Sequence, residues 1–146
     1  MAIRMSRDLK NSLLFGDNLV TALDYGVIQI YTGEQPEDAN SAPTGTLLAS
    51  ITNNGLEWQQ GSFTGGLRLV PVPALSYAVK PASQFWVLKA VQTGEAGWWR
   101  FRSNASASLN MDGAITAPQN ELFIGDSALT EDEERVIQLF QIGFYW

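Results

Sequence analysis

Neither cysteine nor histidine occurs in the 146 residues. Without cysteine there is no disulfide, thiolate nucleophile, iron–sulfur cluster or thiolate zinc site, and without histidine the usual general base and commonest metal ligand are gone. Ser-His-Asp and Cys-His arrangements are therefore excluded. Cations are scarce as well. Nine Lys and Arg against fifteen Asp and Glu leave a net charge of −6, and a phosphate backbone needs a concentrated basic surface, so nucleic acid is not an expected partner. Long apolar runs are missing too. The longest near the N-terminus is Leu13-Leu14-Phe15, far short of a signal-peptide core, and no segment has membrane length, so the expectation is cytoplasmic synthesis with no membrane partner. The glycines from Gly61 to Gly66 lack the lysine and the strand-to-helix setting of a phosphate loop.

What is present suits one domain with a substantial core. Aromatics make up 11% of the chain and charged residues only 16%, a balance that favours a close-packed body with apolar surface left for partners. Charge is divided unevenly along the chain. Arg4, Arg7 and Lys10 stand against Asp8 alone in the first ten residues, leaving that segment about +2 and the remainder about −8.

The stretch from Tyr25 to Ile51 organises the rest. Val27-Ile28-Gln29-Ile30-Tyr31 alternates, with Ile28 and Ile30 on one side, as a half-buried strand requires. A polar, acidic segment with Pro36 and Pro43 follows, and then a second run places Leu47, Ala49 and Ile51 on one face. The pattern predicts a β-ribbon with a long charged tip.

Upstream, the pattern from Ser6 to Asp24 is helical. Ser6 is placed to cap a short helix carrying Leu9 and Leu13, and Asp17 to cap a second one with Leu19, Val20 and Leu23 that ends before Gly26. Such short helices need packing, either against the end of their own sandwich or, as the neighbouring cations suggest, against another subunit. Downstream, Asn53-Asn54-Gly55 signals a tight turn, with a short strand expected from Leu56 to Trp58. Pro71 and Pro73 confine Val70 to Ala74 to a covered or docking edge. Strands are expected over Leu75 to Val79 and over Gln84 to Val91, the latter apolar on both faces and hence central or in a subunit contact.

Trp98-Trp99-Arg100-Phe101-Arg102 separates two surfaces. Trp99 and Phe101 point inward, and Trp98 shares the outer face with Arg100 and Arg102. That trio reads either as a stacking platform with cationic donors, for sugar or a partner protein, or as ordinary packing under a neighbouring loop. Met111-Asp112-Gly113 reads as a turn, and Glu121 to Ile124 as a strand. The apolar phase changes within Arg135 to Trp146, which predicts a β-bulge near Gln138 to Phe140. The aromatic run Phe144-Tyr145-Trp146 calls for a covering partner. Only carboxylates remain as candidate catalysts, either Glu34, Glu37 and Asp38 or the run Glu131 to Glu134. With Asn40, the first group is also a conceivable calcium loop, although its spacing matches no regular ligand pattern. No cofactor and no catalytic activity are expected.

Ile30-Tyr31-Thr32-Gly33-Glu34-Gln35-Pro36 followed by Ala42-Pro43-Thr44-Gly45-Thr46-Leu47-Leu48-Ala49 resembles the opening ribbon of a group of small virion structural proteins of tailed bacteriophages. Trp86, the run from Ala90 to Phe101, and Val136 to Ile142 fit the same pattern, so the likeness extends over most of the chain from Asp24 onward. Its motifs concern turns and core aromatics and carry no catalytic residue. The resemblance implies an all-β, jelly-roll-like single sandwich over 25–146 with a helical arm over 1–24. It also implies residence in the virion as a capsid decoration or cement protein, most readily a homo-trimer bridging major capsid protein subunits, or else as a neck, tail or baseplate component; glycan binding comes third. On that view Arg4, Arg7 and Lys10 steer the arm onto an acidic surface, and Leu13, Phe15, Phe144, Tyr145 and Trp146 become buried contacts, while Trp98, Arg100 and Arg102 are the residues of the platform reading.

Overall fold

Short runs of β-forming residues broken by glycine and proline produce many short strands rather than a few long ones. The computed structural model describes residues 3–115 and 119–143. Its elements are β1 (Arg4–Met5), α1 (Arg7–Phe15), α2 (Leu19–Ala22), β2 (Val27–Tyr31), β3 (Leu47–Asn53), β4 (Val70–Val72), a 3-10 turn (Pro73–Leu75), β5 (Tyr77–Val79), β6 (Trp86–Ala90), β7 (Gly94–Glu95), β8 (Trp98–Arg102), β9 (Asn110–Ala114), β10 (Leu122–Phe123), β11 (Ala128–Leu129), β12 (Glu134–Ile137) and β13 (Leu139–Gly143). A seven-stranded sheet runs β1-β9-β8-β2-β3-β6-β12, a four-stranded sheet runs β10-β13-β5-β4, and β7 and β11 pair separately. The fold is all-β and sandwich-like, as expected. Phe140 of the smaller sheet joins the layers, its ring 5.4 Å from Trp99, 5.6 Å from Trp86 and 5.7 Å from Phe101 of the larger one.

The ribbon forms from β2 and β3, with Ile28 opposite Ile51 and Ile30 opposite Ala49. Its register then slips, so that Tyr31 faces Leu47 and Leu48 is the extra residue. Leu48 and Ala49 both enter the core, and Leu47 moves to the Tyr31 side, a correction to the single face expected for Leu47, Ala49 and Ile51. The tip does not project. It folds back over the outer face of the larger sheet, where Arg4 Nη1 donates to the Pro36 carbonyl at 2.7 Å and the Arg7 amide donates to Asn40 Oδ1 at 2.7 Å.

Residues 3–24 are built into the body, because β1 pairs with β9 and Leu9 is fully buried. Ser6 caps α1 as its sequence predicts, accepting from the Leu9 amide at 3.3 Å. The same hydroxyl donates to the Ser108 carbonyl at 2.6 Å and accepts from the Asn110 amide at 3.0 Å. Ser6→Ala is therefore expected to cost about 1–3 kcal/mol, since it removes a cap and strands a buried amide; the shift in a urea unfolding midpoint measures it. Asn18 rather than Asp17 caps α2, accepting from the Thr21 amide at 3.0 Å.

Three further expectations are corrected. Asn54 and Gly55 both take positive φ, 57° and 68°, as a two-residue hairpin turn requires, but Leu56 to Trp58 then runs as loop, with Trp58 Nε1 bonded to the Tyr25 carbonyl at 2.8 Å. Met111-Asp112-Gly113 is strand, not turn: β9 lies between β8 and β1, Met111 fills the core, and the Arg100–Asp112 pair outweighs local turn preference. The phase change near the C-terminal end is a change of sheet, not a bulge within one strand. Ile137 ends β12 opposite Trp86, and after Gln138 the chain enters the smaller sheet, where Phe140 faces Leu122. Each layer turns the opposite side of the chain to the shared core, so the apolar parity inverts at the corner.

Candidate functional site

The outer face of α1 combines exposed cations with exposed apolar groups. Arg7, Lys10 and Leu14 fall at i, i+3 and i+7 and so form one stripe. Leu9, on the opposite face, anchors the helix in the core. Leu14 is 73% exposed and Phe15, at the end of the stripe, 82%. The Arg7 side chain is largely in water, 3.6 Å from Asp8, where such a pair contributes little. Lys10 borders a depression shared with Glu37 and Asp38 of the folded-back tip.

Beside this stripe lies a largely apolar groove of about 660 Å³ between the arm and the inner side of the smaller sheet. Ile3, Met5 and Leu13 line one wall, Pro71, Ala78 and Ile142 the other, with the carboxylates of Asp17 and Glu121 also present. Arg4, Arg7, Lys10, Leu13 and Phe15 thus cluster on one end of the molecule. Phe144, Tyr145 and Trp146 lie outside the described residues.

Trp98, Arg100 and Arg102 share the outer face of β8 as alternation predicts, but they form no open platform. Trp98 is fully buried, stacked on Tyr31 at 4.7 Å with its planes 17° apart, and its Nε1 donates to the Thr44 carbonyl at 3.3 Å. Arg100 lies 5.4 Å from the Trp98 ring centre and holds Asp112 in a buried two-pronged ion pair, Nε to Oδ1 at 2.7 Å and Nη2 to Oδ2 at 2.9 Å. Its Nη1 reaches the Ser41 carbonyl at 2.8 Å. Arg102 is half-buried, and its Nε has no hydrogen-bond partner among the described residues. The ribbon tip is what covers this surface, so no ring face is left for a sugar to stack on. Burial also pushes the Tyr31 hydroxyl above the ordinary phenol pKa, against the opposing pull of Arg102 and Arg100.

No protein-family model matches this sequence, and no curated protein or solved structure matches it either. What the chain does has to be argued from its own surfaces.

Two of the candidate acids, Asp38 and Glu133, are occupied in local structure. Asp38 Oδ1 accepts from the Asn40 amide at 2.8 Å and from its Nδ2 at 2.6 Å. Glu133 accepts from Arg135 Nε at 2.6 Å and from the Thr130 amide at 3.0 Å, and the Arg135 bond first, then the Thr130 amide, holds its carboxyl below the usual range. Arg135 also donates to the carbonyls of Ile124 and Ala128, fastening the 124–128 loop, a role that alternation in the sequence does not signal. Among the described residues no three His, Cys, Asp or Glu side chains converge on a point where a metal would sit.

Proposed function

We propose that this chain is a structural protein of a tailed-phage particle, a decoration or cement subunit that binds the assembled shell through the outer face of α1. The observation that carries the reading is the stripe of Arg7, Lys10, Leu14 and Phe15, held rigid by Leu9 and Ser6 beneath it. Two large apolar side chains in water next to two cations suit an acidic protein surface with an apolar recess. The resemblance in the ribbon and the core aromatics supplies the class of particle. The work done is binding alone. A subunit that binds only the assembled lattice stabilises that lattice by mass action, as a ligand stabilises the folded state it prefers.

Deleting the arm is a poor probe, because it also strips β1 from β9 and Leu9 from the core. Charge reversal at exposed positions is cleaner. Arg7→Glu with Lys10→Glu is expected to leave the thermal midpoint unchanged and to weaken binding to purified undecorated shells about tenfold at low salt, with the difference shrinking as salt rises. Copies bound per shell, measured by quantitative mass spectrometry, are expected to stand to the major capsid protein as one or a simple fraction of it. A count of a few to a few tens per virion instead assigns the chain to the neck, tail or baseplate, and unchanged binding by the double variant removes α1 as the docking face.

A further inference from the structure

The outer face of the larger sheet carries a polar row. Gln29 of β2 lies opposite Ser50 of β3 and Ser50 opposite Lys89 of β6, while Thr52 stands one row away, opposite Val87. Opposed residues of an antiparallel sheet share a side, and the alternate set, Ile28, Ile51 and Leu88, is in the core. The ribbon tip covers this face over β8, through Thr44 and Ser41. Over β2, β3 and β6 it is open, as a groove of about 360 Å³ walled by Glu57 and Trp58 of the loop after β3.

The floor of this groove has hydrogen-bonding groups that the fold leaves unused. Thr52 lines it and is only 6% exposed, yet its hydroxyl has no hydrogen-bond partner among the described residues. A polar group so enclosed ordinarily has one. The Ser50 hydroxyl and the Lys89 ammonium likewise have none among those residues, and Gln29 uses only its Oε1, which accepts from the Tyr31 hydroxyl at 3.2 Å. The groups are nevertheless held in place. An added Cβ at Gly55 would lie 2.8 Å from Lys89 Cε, so the bare turn seats the lysine stem, and the Nε1 bond to the Tyr25 carbonyl fixes the Trp58 ring.

We propose that this groove binds a short, uncharged saccharide. Donors and acceptors occur together in it: the two hydroxyls do both, the Gln29 and Lys89 nitrogens donate, and the Glu57 carboxylate accepts. A ring bearing hydroxyls matches that mixture. An anion does not, because Lys89 is the only cation among the described residues lining the groove, Glu57 shares it, and Glu134 of β12 stands opposite Lys89. A peptide strand finds nothing to pair with, since β2, β3 and β6 are inner strands of their sheet. Trp58 and Val91 supply apolar surface for the C–H side of a sugar ring. The volume is at the small end of ligand sites, roughly 300–1,000 Å³, which suits a short saccharide or the end of a longer one. The site does not depend on the shell reading.

Ligand-observed NMR with free maltotriose, cellotriose, chitotriose and lactose tests it, with sialyllactose as the acidic comparison. At least one of the neutral sugars is expected to bind with a Kd of about 0.1–5 mM, with little dependence on salt. Thr52→Val and Ser50→Ala are each expected to weaken that binding about three- to tenfold. Neither is expected to lower the thermal midpoint, because neither hydroxyl makes a bond within the fold. No neutral sugar bound at about 20 mM, binding confined to sialyllactose and lost as salt rises, or an affinity that both variants leave unchanged overturns the proposal. So does a Thr52→Val chain that melts earlier while Ser50→Ala binds normally, since the Thr52 hydroxyl then serves the fold.

Discussion

Asp112→Ala is expected to destabilise the fold by about 3–5 kcal/mol, because it leaves the Arg100 guanidinium buried without its counter-charge. Both side chains are almost wholly excluded from water, so no solvent replaces the lost carboxylate. The effect reaches the ribbon tip, since Arg100 is also the donor to the Ser41 carbonyl and lies against Trp98. Hydrogen exchange of the amides between 32 and 46 is expected to accelerate before global unfolding, as the tip loses its central anchor. Arg100→Met combined with Asp112→Leu is expected to recover much of the loss, because a buried pair replaced by apolar groups of similar volume is often near neutral. Denaturant midpoints for the two single variants and the double variant form the cycle that measures it. A loss under about 1 kcal/mol for Asp112→Ala would mean that the pair is hydrated and that the tip is not sealed over β8.

Phe140→Ala is the second large effect, with an expected loss of about 3–5 kcal/mol from the missing ring and the cavity it leaves. The ring touches Trp86, Trp99 and Phe101, one from β6 and two from β8, so it is the main joint between the layers. Phe140→Leu keeps part of the volume and is expected to cost less than half as much. Near-ultraviolet circular dichroism is the sensitive readout, since Trp86 and Trp99 both lose an aromatic neighbour. A normal near-ultraviolet spectrum with full stability in Phe140→Ala would show that the two sheets are held together elsewhere.

Much of the architecture was legible along the chain. The inward pairs Ile28 with Ile30 and Trp99 with Phe101, the Ser6 cap and the turn at Asn54-Gly55 are local consequences of period-two side-chain direction, hydroxyl capping and positive φ, whereas Val27 to Tyr31, expected to be half-buried, is buried on both sides. The prolines at 71 and 73 likewise mark β4 as an edge strand, and it lies at the edge of its sheet. The candidate site was legible only in part. Arg7, Lys10 and Leu14 can be placed on one helical stripe from spacing alone, but the groove beside them is assembled from segments as far apart as Ile3 and Ile142.

Alternation by itself determined which residues share a side: Trp98 with Arg100 and Arg102, Ile28 with Ile30, and Phe140 with Ile142. Composition determined that no cysteine or histidine chemistry operates here. Only the tertiary structure decided which sides meet water. Trp98 and Arg100 are buried because Thr44 and Ser41, some 54 and 59 residues earlier, fold back onto them. The chain changes sheets at Gln138 because its inward parity must invert when the opposite layer takes it up. Phe123 and Leu139 stand outside because no described element lies over β10 and β13. The physical reason is common to all three cases: a strand's period is set by its own backbone, whereas the cover over each of its faces comes from segments distant in sequence, whose placement local propensity does not encode.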